Sequence, residues 1–354
     1  MSERTEFFGR TDDLRTLADR LGQGQQVGLF GIHKIGKSSL LAQLGRRLHV
    51  GHPEITVVQV ELNAALRSAE DVYNLIIRQM PSADDLPTTN LTAETFRQTL
   101  TAFHRRRQQE RPGHRLLLIL DEYAYLIPDH TGQGRVQDFI SVLGLLKALH
   151  QEGWLLVLPC GRTAALNRQA VWGRDENPFI NLLHPHFLGP MLREENDALM
   201  QSLGRRAERP LDFTPEALAA VYAETGGHPA FSRLLGSRIV SAASGEITAG
   251  HVTAAIEALL SKKDDYALLT AIYDKLDEEE QHLARQLAQQ GPLPRQQLIP
   301  AAAEIERRKR VRDAIDNLID ITVLVRQPDG MIAHRYGLLR RAVEREIEEL
   351  GLEI

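Results

Sequence analysis

The amino-acid sequence predicts an α/β fold, a parallel sheet flanked by helices, followed by a helical region and a C-terminal unit of helices with a β-hairpin. Up to about residue 190, short apolar stretches alternate with segments of helical periodicity, as in units whose strands run parallel. Beyond that point helical periodicity dominates. A glycine-bracketed loop after the first apolar stretch and two carboxylates at the end of a later one predict where a ligand binds.

Length and composition are those of an ordinary globular protein of two or three domains. The chain has 354 residues, 43% of them apolar and 25% charged, and a net charge of −5. This acidic balance argues against a protein that clamps nucleic acid over its whole surface, so any such binding is expected to be local. The single cysteine, Cys160, excludes a disulfide within the chain and reads as a small core residue. With neither a signal-peptide core nor a run of about 18 apolar residues, we expect a cytoplasmic protein with no membrane contact.

The first apolar stretch leads into a loop with the spacing of a phosphate cradle. In QQVGLFGIHKIGKS, Gly31 and Gly36 enclose four residues and are followed at once by Lys37 and Ser38, which completes the pattern G-x-x-x-x-G-K-[ST] of a P-loop. A loop that turns its N–H groups toward a polyphosphate needs residues that tolerate positive φ. A chance glycine-rich turn is the alternative, but the buried strand before it and the amphipathic helix after it disfavour that interpretation.

Two polar residues that follow this loop, Lys37 and Ser38, have specific predicted roles with a nucleotide. Lys37 would bridge the β- and γ-phosphate oxygens, and the hydroxyl of Ser38 would bind the Mg²⁺ ion that accompanies the nucleotide. The helix that begins at Lys37 adds the positive end of its dipole. The predicted nucleotide contacts here are Gly31, Ile32, His33, Lys34, Ile35, Gly36, Lys37, Ser38 and Ser39.

A second chemical centre follows the apolar strand Arg115-LLLIL. The strand ends in Asp121 and Glu122, at the position where open α/β sheets bind ligands. Asp121 is predicted to join the Mg²⁺ shell, and Glu122 to orient or deprotonate the attacking water. The pair therefore indicates hydrolysis, with two solvated acids at a strand end as the alternative.

A third strand end carries Arg162, after Gly153-Trp154-LLVLPC-Gly161. If this strand lies between the P-loop strand and the Asp121 strand, Arg162 points at the γ-phosphate and stabilises or senses its charge. The alternative is an exposed arginine that follows a strand.

Two further stretches are candidates for contact with the nucleotide. Phe8 and Arg10, in the opening FFGR, precede the P-loop strand by only some 17 residues and would lie near the base or phosphates. In Thr225-Gly226-Gly227-His228-Pro229, His228 and Pro229 would close over the nucleotide from a helical lid. Both stretches also have a structural interpretation, the first as a packing element and the second as the end of one helix and the start of the next.

The C-terminal region predicts a winged-helix domain. Three helices are followed by a hairpin with the turn Gln327-Pro-Asp-Gly, and segment 295–345 has eleven Lys and Arg against seven Asp and Glu. Phosphate contacts to DNA are one interpretation of its basic helix, and a solvated face paired with interleaved acids is the other. The basic residues are Arg307, Arg308, Lys309, Arg310 and Arg312.

Taken in order, FFGR, GIHKIGKS, LLLILDE, LLVLPCGR and TGGHPAF resemble the STAND class of P-loop NTPases within the AAA-like group. The resemblance implies a P-loop NTPase sheet over residues 1–190, a helical lid over 191–263 and a winged-helix domain over 264–354. It implies that Arg162 is a sensor arginine and that Pro229 packs on the bound nucleotide. Two departures stand out: Asp13 takes the place of the usual glutamate after Gly-Arg, and His334-Arg335 replaces a His-Asp pair that touches the nucleotide in many relatives.

The function implied is that of a switch driven by ATP, with ATP or ADP and Mg²⁺ as cofactors and a second copy or another protein as partner. The preference for ATP rests on the resemblance, because a P-loop reads phosphates alone and the guanine-specific run Asn-Lys-x-Asp is absent. An ATPase that binds DNA, like the archaeal origin-recognition proteins, is the alternative. A nucleotide-stabilised adaptor with little turnover is a third hypothesis.

Overall fold

A computed structural model describes residues 7–81, 91–128, 136–172, 175–261, 263–301 and 303–351. The chain forms two compact units. The sheet unit comprises Thr11–Phe30 and the described part of Lys37–Leu188, and the helical unit comprises the described residues of Met1–Arg10, Gly31–Gly36 and Gly189–Ile354.

The sheet unit alternates strands and helices, as the sequence predicts. Its elements are α1 (Thr11–Gly22), β1 (Val27–Phe30), α2 (Lys37–Gly51), β2 (Ile55–Glu61), α3 (Ala69–Arg78), α4 (Ala93–Glu110), β3 (Arg115–Asp121), α5 (Phe139–Gln151), β4 (Leu155–Gly161), α6 (Ala165–Arg168), β5 (Val171–Trp172), β6 (Asp175–Glu176) and β7 (His184–Phe187). Strands β5 and β6 pair separately with each other.

Five of these strands form one parallel sheet in the order β2-β3-β4-β1-β7. Every residue of β1 and β4 is buried, and in β3 only Arg115 is partly exposed. Strands covered on both faces are apolar throughout instead of alternating, which is why the sequence shows continuous apolar runs here. The register pairs Phe30 with Gly161 and Glu61 with Asp121, so the carboxyl ends of the central strands lie along one edge.

Local capping and long-range contacts fix the helices around this sheet. Ser68 caps α3 and Thr92 caps α4, each with a reciprocal bond from the third helical residue. The Arg115 guanidinium donates to the Gly22 carbonyl over 2.7 Å and so satisfies the C-terminal end of α1.

The helical unit contains the remaining elements. They are α7 (Arg193–Arg205), α8 (Pro215–Thr225), α9 (Pro229–Ala242), α10 (Ala249–Leu260), α11 (Lys263–Tyr273), α12 (Glu278–Gln290), β8 (Leu293–Pro294), α13 (Arg295–Leu298), α14 (Ile305–Asp320), β9 (Leu324–Arg326), β10 (Met331–His334) and α15 (Gly337–Leu350). β10 pairs antiparallel with β9 and with β8, and the predicted hairpin turn joins β9 to β10. No helix within the described ranges is long and apolar enough to cross a membrane.

The junction of α8 and α9 follows the predicted glycine and proline signals. Gly226 ends α8 in the left-handed region, at φ +54°, and Pro229 is the first residue of α9. His228 between them is fully buried, with its ring stacked 4.2 Å from that of Phe231 and edge-on to Tyr336, 5.3 Å away. These contacts pack the junction against the start of α15.

Candidate functional site

The glycine-bracketed loop combines buried anchors with a strained turn. Ile32 and Ile35 are fully buried, and the Ile35 N–H donates to the Ile32 carbonyl over 3.3 Å. Lys34 is exposed at φ +60°, and Gly36 lies at φ +104°, where a residue with a Cβ is disfavoured. The two isoleucine side chains are thus committed to the core, and the turn between Ile32 and Gly36 places Lys34 and Gly36 at positive φ.

The loop passes directly into Lys37, the first residue of α2 and a member of the sheet unit. Its side chain is only 8% exposed. Burial lowers the pKa of the Lys37 ammonium; the negative charges of Glu122 and Asp121 oppose this shift, and the guanidinium of Arg162 adds to it. Lys37 therefore lies within electrostatic reach of all three strand-end residues that the sequence singled out.

Ser38 and Asp121 are brought together by the sheet. Asp121 ends β3 and is 5% exposed, while Ser38 lies in the first turn of α2 and is exposed. The Ser38 hydroxyl donates to Asp121 Oδ2 over 3.1 Å, and the Glu122 N–H donates to Asp121 Oδ1 over 3.0 Å. A hydroxyl and a carboxylate oxygen thus converge at one point, as a small divalent cation bound by oxygens requires.

Glu122 has an unusual backbone. It is half-buried at φ +54°, a left-handed conformation that costs a residue with a side chain roughly 1 kcal/mol. The conformation turns the chain sharply out of β3 into the short turn Tyr123–Tyr125. Strain of this kind persists only where the surrounding structure holds it.

Tyr123 anchors the chain directly after Glu122. Sequence reasoning did not identify this residue. The residue is 1% exposed, its hydroxyl donates to the Thr163 carbonyl, and its ring lies edge-on to Phe30. A Cβ at Gly161 would stand 2.6 Å from the ring, so glycine is needed there. Tyr123 thereby fixes the end of β3 against the end of β4. An aromatic residue directly after the Asp-Glu pair is the sequence signal, but its partners depend on the strand order.

The prediction for Arg162 depended on the position of its strand in the sheet, and the structure confirms that position. Strand β4 lies between β1 and β3, so Arg162 follows a strand at the centre of the sheet and is half-buried. Cys160, two residues earlier, is fully buried; burial, with the nearby Asp121 carboxylate, raises the pKa of its thiol well above the ordinary value. The thiol therefore stays protonated, in agreement with its interpretation as a core residue.

The candidates that the sequence placed outside the sheet lie in the helical unit. Phe8 is half-buried, and Arg10 is 7% exposed with its guanidinium on the carbonyls of Ile35 and Pro190. Pro229 is half-buried at the start of α9. Ser39, by contrast, belongs to the sheet unit, where it is exposed and follows Ser38 in α2.

The two departures from the STAND pattern have structural partners of their own. Asp13 Oδ1 lies 2.8 Å from His186 Nε2 and joins α1 to β7. His334 is half-buried in the C-terminal region and donates from Nε2 to the Ala284 carbonyl of α12 over 2.8 Å. Burial lowers the pKa of His334 to about 4, so its ring is neutral. The His334 side chain is thus committed to the packing of its own region.

Comparisons with known proteins place this geometry in context. The model of the family novel STAND NTPase 1 matches residues 1–336. The Walker-type ATPase PABY2304 of Pyrococcus abyssi is similar in structure, with a TM-score of 0.67, 14% identity and 97% of each chain covered. The Aeropyrum pernix ORC2 protein, solved as ADPNP-ADP complexes, has a TM-score of 0.58 at 15% identity, with 99% of this chain and 98% of that chain covered. No curated protein matches the sequence.

Proposed function

Because the chain belongs to the novel STAND NTPase 1 family, we propose that it binds and hydrolyses ATP and that its nucleotide state controls which surface it offers to a partner. The observation that carries the proposal is the meeting of Ser38 and Asp121 at the sheet edge, beside the P-loop lysine. Adenine is favoured as the base by the ADPNP and ADP in the similar A. pernix protein.

The residues present fit a magnesium ion that arrives with the nucleotide. Within the described ranges no group of three or more His, Cys, Asp or Glu side chains forms a metal site. Ser38 and Asp121 would hold the Mg²⁺ ion, with phosphate and water completing the octahedron. When bound, the ion would neutralise charge on the phosphates.

The protein's own residues would divide the remaining work. Lys37 would bind the β- and γ-phosphate oxygens. Glu122, whose left-handed backbone turns the chain out of β3 next to the anchored Tyr123, would orient or deprotonate the water. Arg162 would stabilise charge on the transferred phosphoryl group.

Two substitutions test the hydrolytic site. Lys37→Ala should abolish nucleotide binding, and Glu122→Gln should bind ATP while turnover falls by about 10²- to 10⁴-fold. Glu61→Gln is the matched control, because Glu61 is an exposed carboxylate paired in register with Asp121 and should be dispensable. Turnover of Glu122→Gln at the parent rate would contradict the role in water activation.

The switch itself is tested by size. We propose that α7–α10 act as the lid (191–263) and α11–α15 with β8–β10 as the winged helix (264–354), and that exchange or hydrolysis changes their arrangement on the nucleotide domain (1–190). Light scattering in ADP and in a non-hydrolysable ATP analogue should then give different masses or radii, either for the chain itself or with a protein partner. Identical values with and without candidate partners would favour a static adaptor.

A second candidate is an ATPase that binds DNA. The observation in its favour is α14, on which Arg307, Lys309, Arg310 and Arg312 are all exposed. Against it, Arg307 Nε lies 3.5 Å from Glu279 Oε1 and is partly neutralised. A gel shift at low and moderate salt, with these four residues and the half-buried Arg308 replaced in one variant, separates the hypotheses: binding to DNA must be lost with the basic residues.

A further inference from the structure

We propose that Arg10 is a positioning residue for the P-loop: its guanidinium holds the peptide bond between Ile35 and Gly36 so that the Gly36 N–H faces the phosphates, and it ties that peptide to the start of α7. The inference concerns the nucleotide site proposed above and rests on that function. It differs from the expectation that Arg10 touches the nucleotide, because Arg10 acts here through backbone carbonyls.

The guanidinium of Arg10 is bonded to two backbone carbonyls. Arg10 is 7% exposed; its Nη2 donates to the Ile35 carbonyl over 3.2 Å, and its Nη1 donates to the Pro190 carbonyl over 3.4 Å. A buried guanidinium must keep its N–H groups paired, since an unsatisfied charged donor is costly. The planar fork of arginine can serve two carbonyls at once, which a lysine ammonium on a flexible stem does less well.

Because the peptide bond is planar, the contact of Arg10 with the Ile35 carbonyl also affects the N–H of Gly36 in the P-loop. In a planar trans peptide the C=O and the following N–H point in opposite directions. A bond that fixes the Ile35 carbonyl therefore also fixes the direction of the Gly36 N–H, on the side away from Arg10. At φ +104°, Gly36 has the backbone freedom of glycine, so an external partner is needed to select one orientation of this peptide. N–H groups aimed at the anion are what a phosphate cradle requires.

The backbone of Arg10 is also fixed by contacts, which it makes with Glu195. Gly9 and Arg10 lie at φ +64° and +62°, and a Cβ on Gly9 would stand 2.1 Å from the carboxyl group of Glu195. Glu195 Oε1 accepts the Arg10 N–H over 2.8 Å, while Oε2 accepts the Leu192 N–H over 2.9 Å at the start of α7. A side chain at position 9 would therefore displace the Glu195 carboxylate that accepts these two N–H groups.

Together these contacts form a continuous connection. α7 fixes Glu195, Glu195 fixes the Arg10 backbone, and the Arg10 side chain fixes both Pro190, just before α7, and the P-loop peptide after Ile35. A movement of the start of α7 would change the orientation of the Gly36 N–H, which couples the helical region to the affinity for phosphate.

The test uses NMR to detect hydrogen bonding at these two peptide bonds in protein without nucleotide. The ¹⁵N chemical shift of an amide responds to hydrogen bonding at the carbonyl of the same peptide, so the reporters are Gly36 for the Ile35 carbonyl and Met191 for the Pro190 carbonyl. Arg10→Met keeps the aliphatic packing and removes the donors. It should move both resonances and weaken ADP and ATP alike by at least about tenfold.

Arg10→Lys is the second variant and carries the test if Arg10→Met fails to fold. A lysine ammonium lacks the planar fork that spans the two carbonyls, so at least one of the two resonances should move, and the loss of affinity should be smaller than that of Arg10→Met. Arg15→Met is the matched control: Arg15 is an exposed arginine paired with Asp12, and its replacement should leave both resonances and both affinities unchanged.

Two results would overturn the proposal. One is a folded variant of Arg10 in which neither Gly36 nor Met191 shifts. The other is a loss confined to ATP, which would make Arg10 a direct ligand of the γ-phosphate. A protein that shows the shifts but hydrolyses no ATP would instead refute the proposed function and leave the positioning role intact.

Discussion

In the sheet unit, polar residues that the sequence singles out meet at the carboxyl ends of the parallel strands, where Ser38 is hydrogen-bonded to Asp121 and the charge of Glu122 acts on Lys37. In the helical unit, His228 packs its ring between aromatic side chains and His334 bonds a backbone carbonyl. The difference follows from the backbone. At the carboxyl end of a parallel sheet the strands have satisfied their own hydrogen bonds and the side chains that follow are released, whereas His228 between two helices and His334 at the end of a hairpin strand on α12 serve the packing. The carboxyl end of a parallel strand is therefore better evidence for chemistry than the type of a polar residue.

The largest expected effect tests the sheet edge. Asp121→Asn keeps the shape of the side chain but removes its charge, so a Mg²⁺ ion loses its only predicted protein carboxylate. We expect turnover to fall by on the order of 10²- to 10³-fold, and the Mg²⁺ concentration for half-maximal turnover to rise. A magnesium titration of ATP hydrolysis checks both. Asp12→Asn, at an aspartate that is 82% exposed, is the control and should behave like the parent. An unchanged magnesium dependence in Asp121→Asn would remove Asp121 from the metal site.

Sequence alone predicted the buried strands that lead to the candidate site because their signals are local. The spacing from Gly31 to Ser38 and the carboxylates after β3 are read within a few residues of each other, and the apolar runs mark β1, β3 and β4 as buried strands. The sequence left open the position of β4 in the sheet, on which the predicted role of Arg162 depends. Strand order depends on contacts between distant segments, so only the structure puts Arg162 at the centre of the sheet.

The other residues could not be predicted because their partners lie far along the chain. Arg10 reaches Ile35 and Pro190, and Glu195 shapes the backbone 185 residues earlier. The strand β8 has two residues, which gives no periodicity to detect. His334 was identified by its place in a family pattern, but the direction of its side chain depends on how β10 packs on α12.

The half-buried His334 of the helical unit is expected to make the stability of the protein fall in acid. Burial lowers the pKa of His334 to about 4, while an unfolded histidine titrates near 6.5. Between these values the unfolded chain binds a proton that the folded protein does not, so the free energy of unfolding falls as the pH falls. The loss approaches about 3 kcal/mol by pH 4.

Urea unfolding between pH 7.5 and 4.5 measures this contribution. His334→Gln should flatten the pH dependence, whereas His49→Gln, at an exposed histidine of α2, should leave it as in the parent. His114 in the sheet unit, whose pKa burial also lowers to about 4, gives the same direction of change there. An equal slope in His334→Gln and the parent would show that His334 is not buried in the neutral form.

The smallest expected effect tests whether the junction between α8 and α9 is a packing element. Gly226 lies at φ +54°, and a Cβ on it would stand 2.8 Å from the Tyr336 ring and 3.1 Å from the Arg335 carbonyl. Gly226→Ala should therefore lower the free energy of unfolding by about 2 kcal/mol, from backbone strain and displaced packing together. Gly245→Ala is the matched control, since a Cβ there meets nothing within 4 Å, and should change stability by less than about 0.5 kcal/mol. Equal unfolding midpoints for the two variants would mean that Tyr336 does not press on this junction, and the contrast between the two units would then rest on His334 alone.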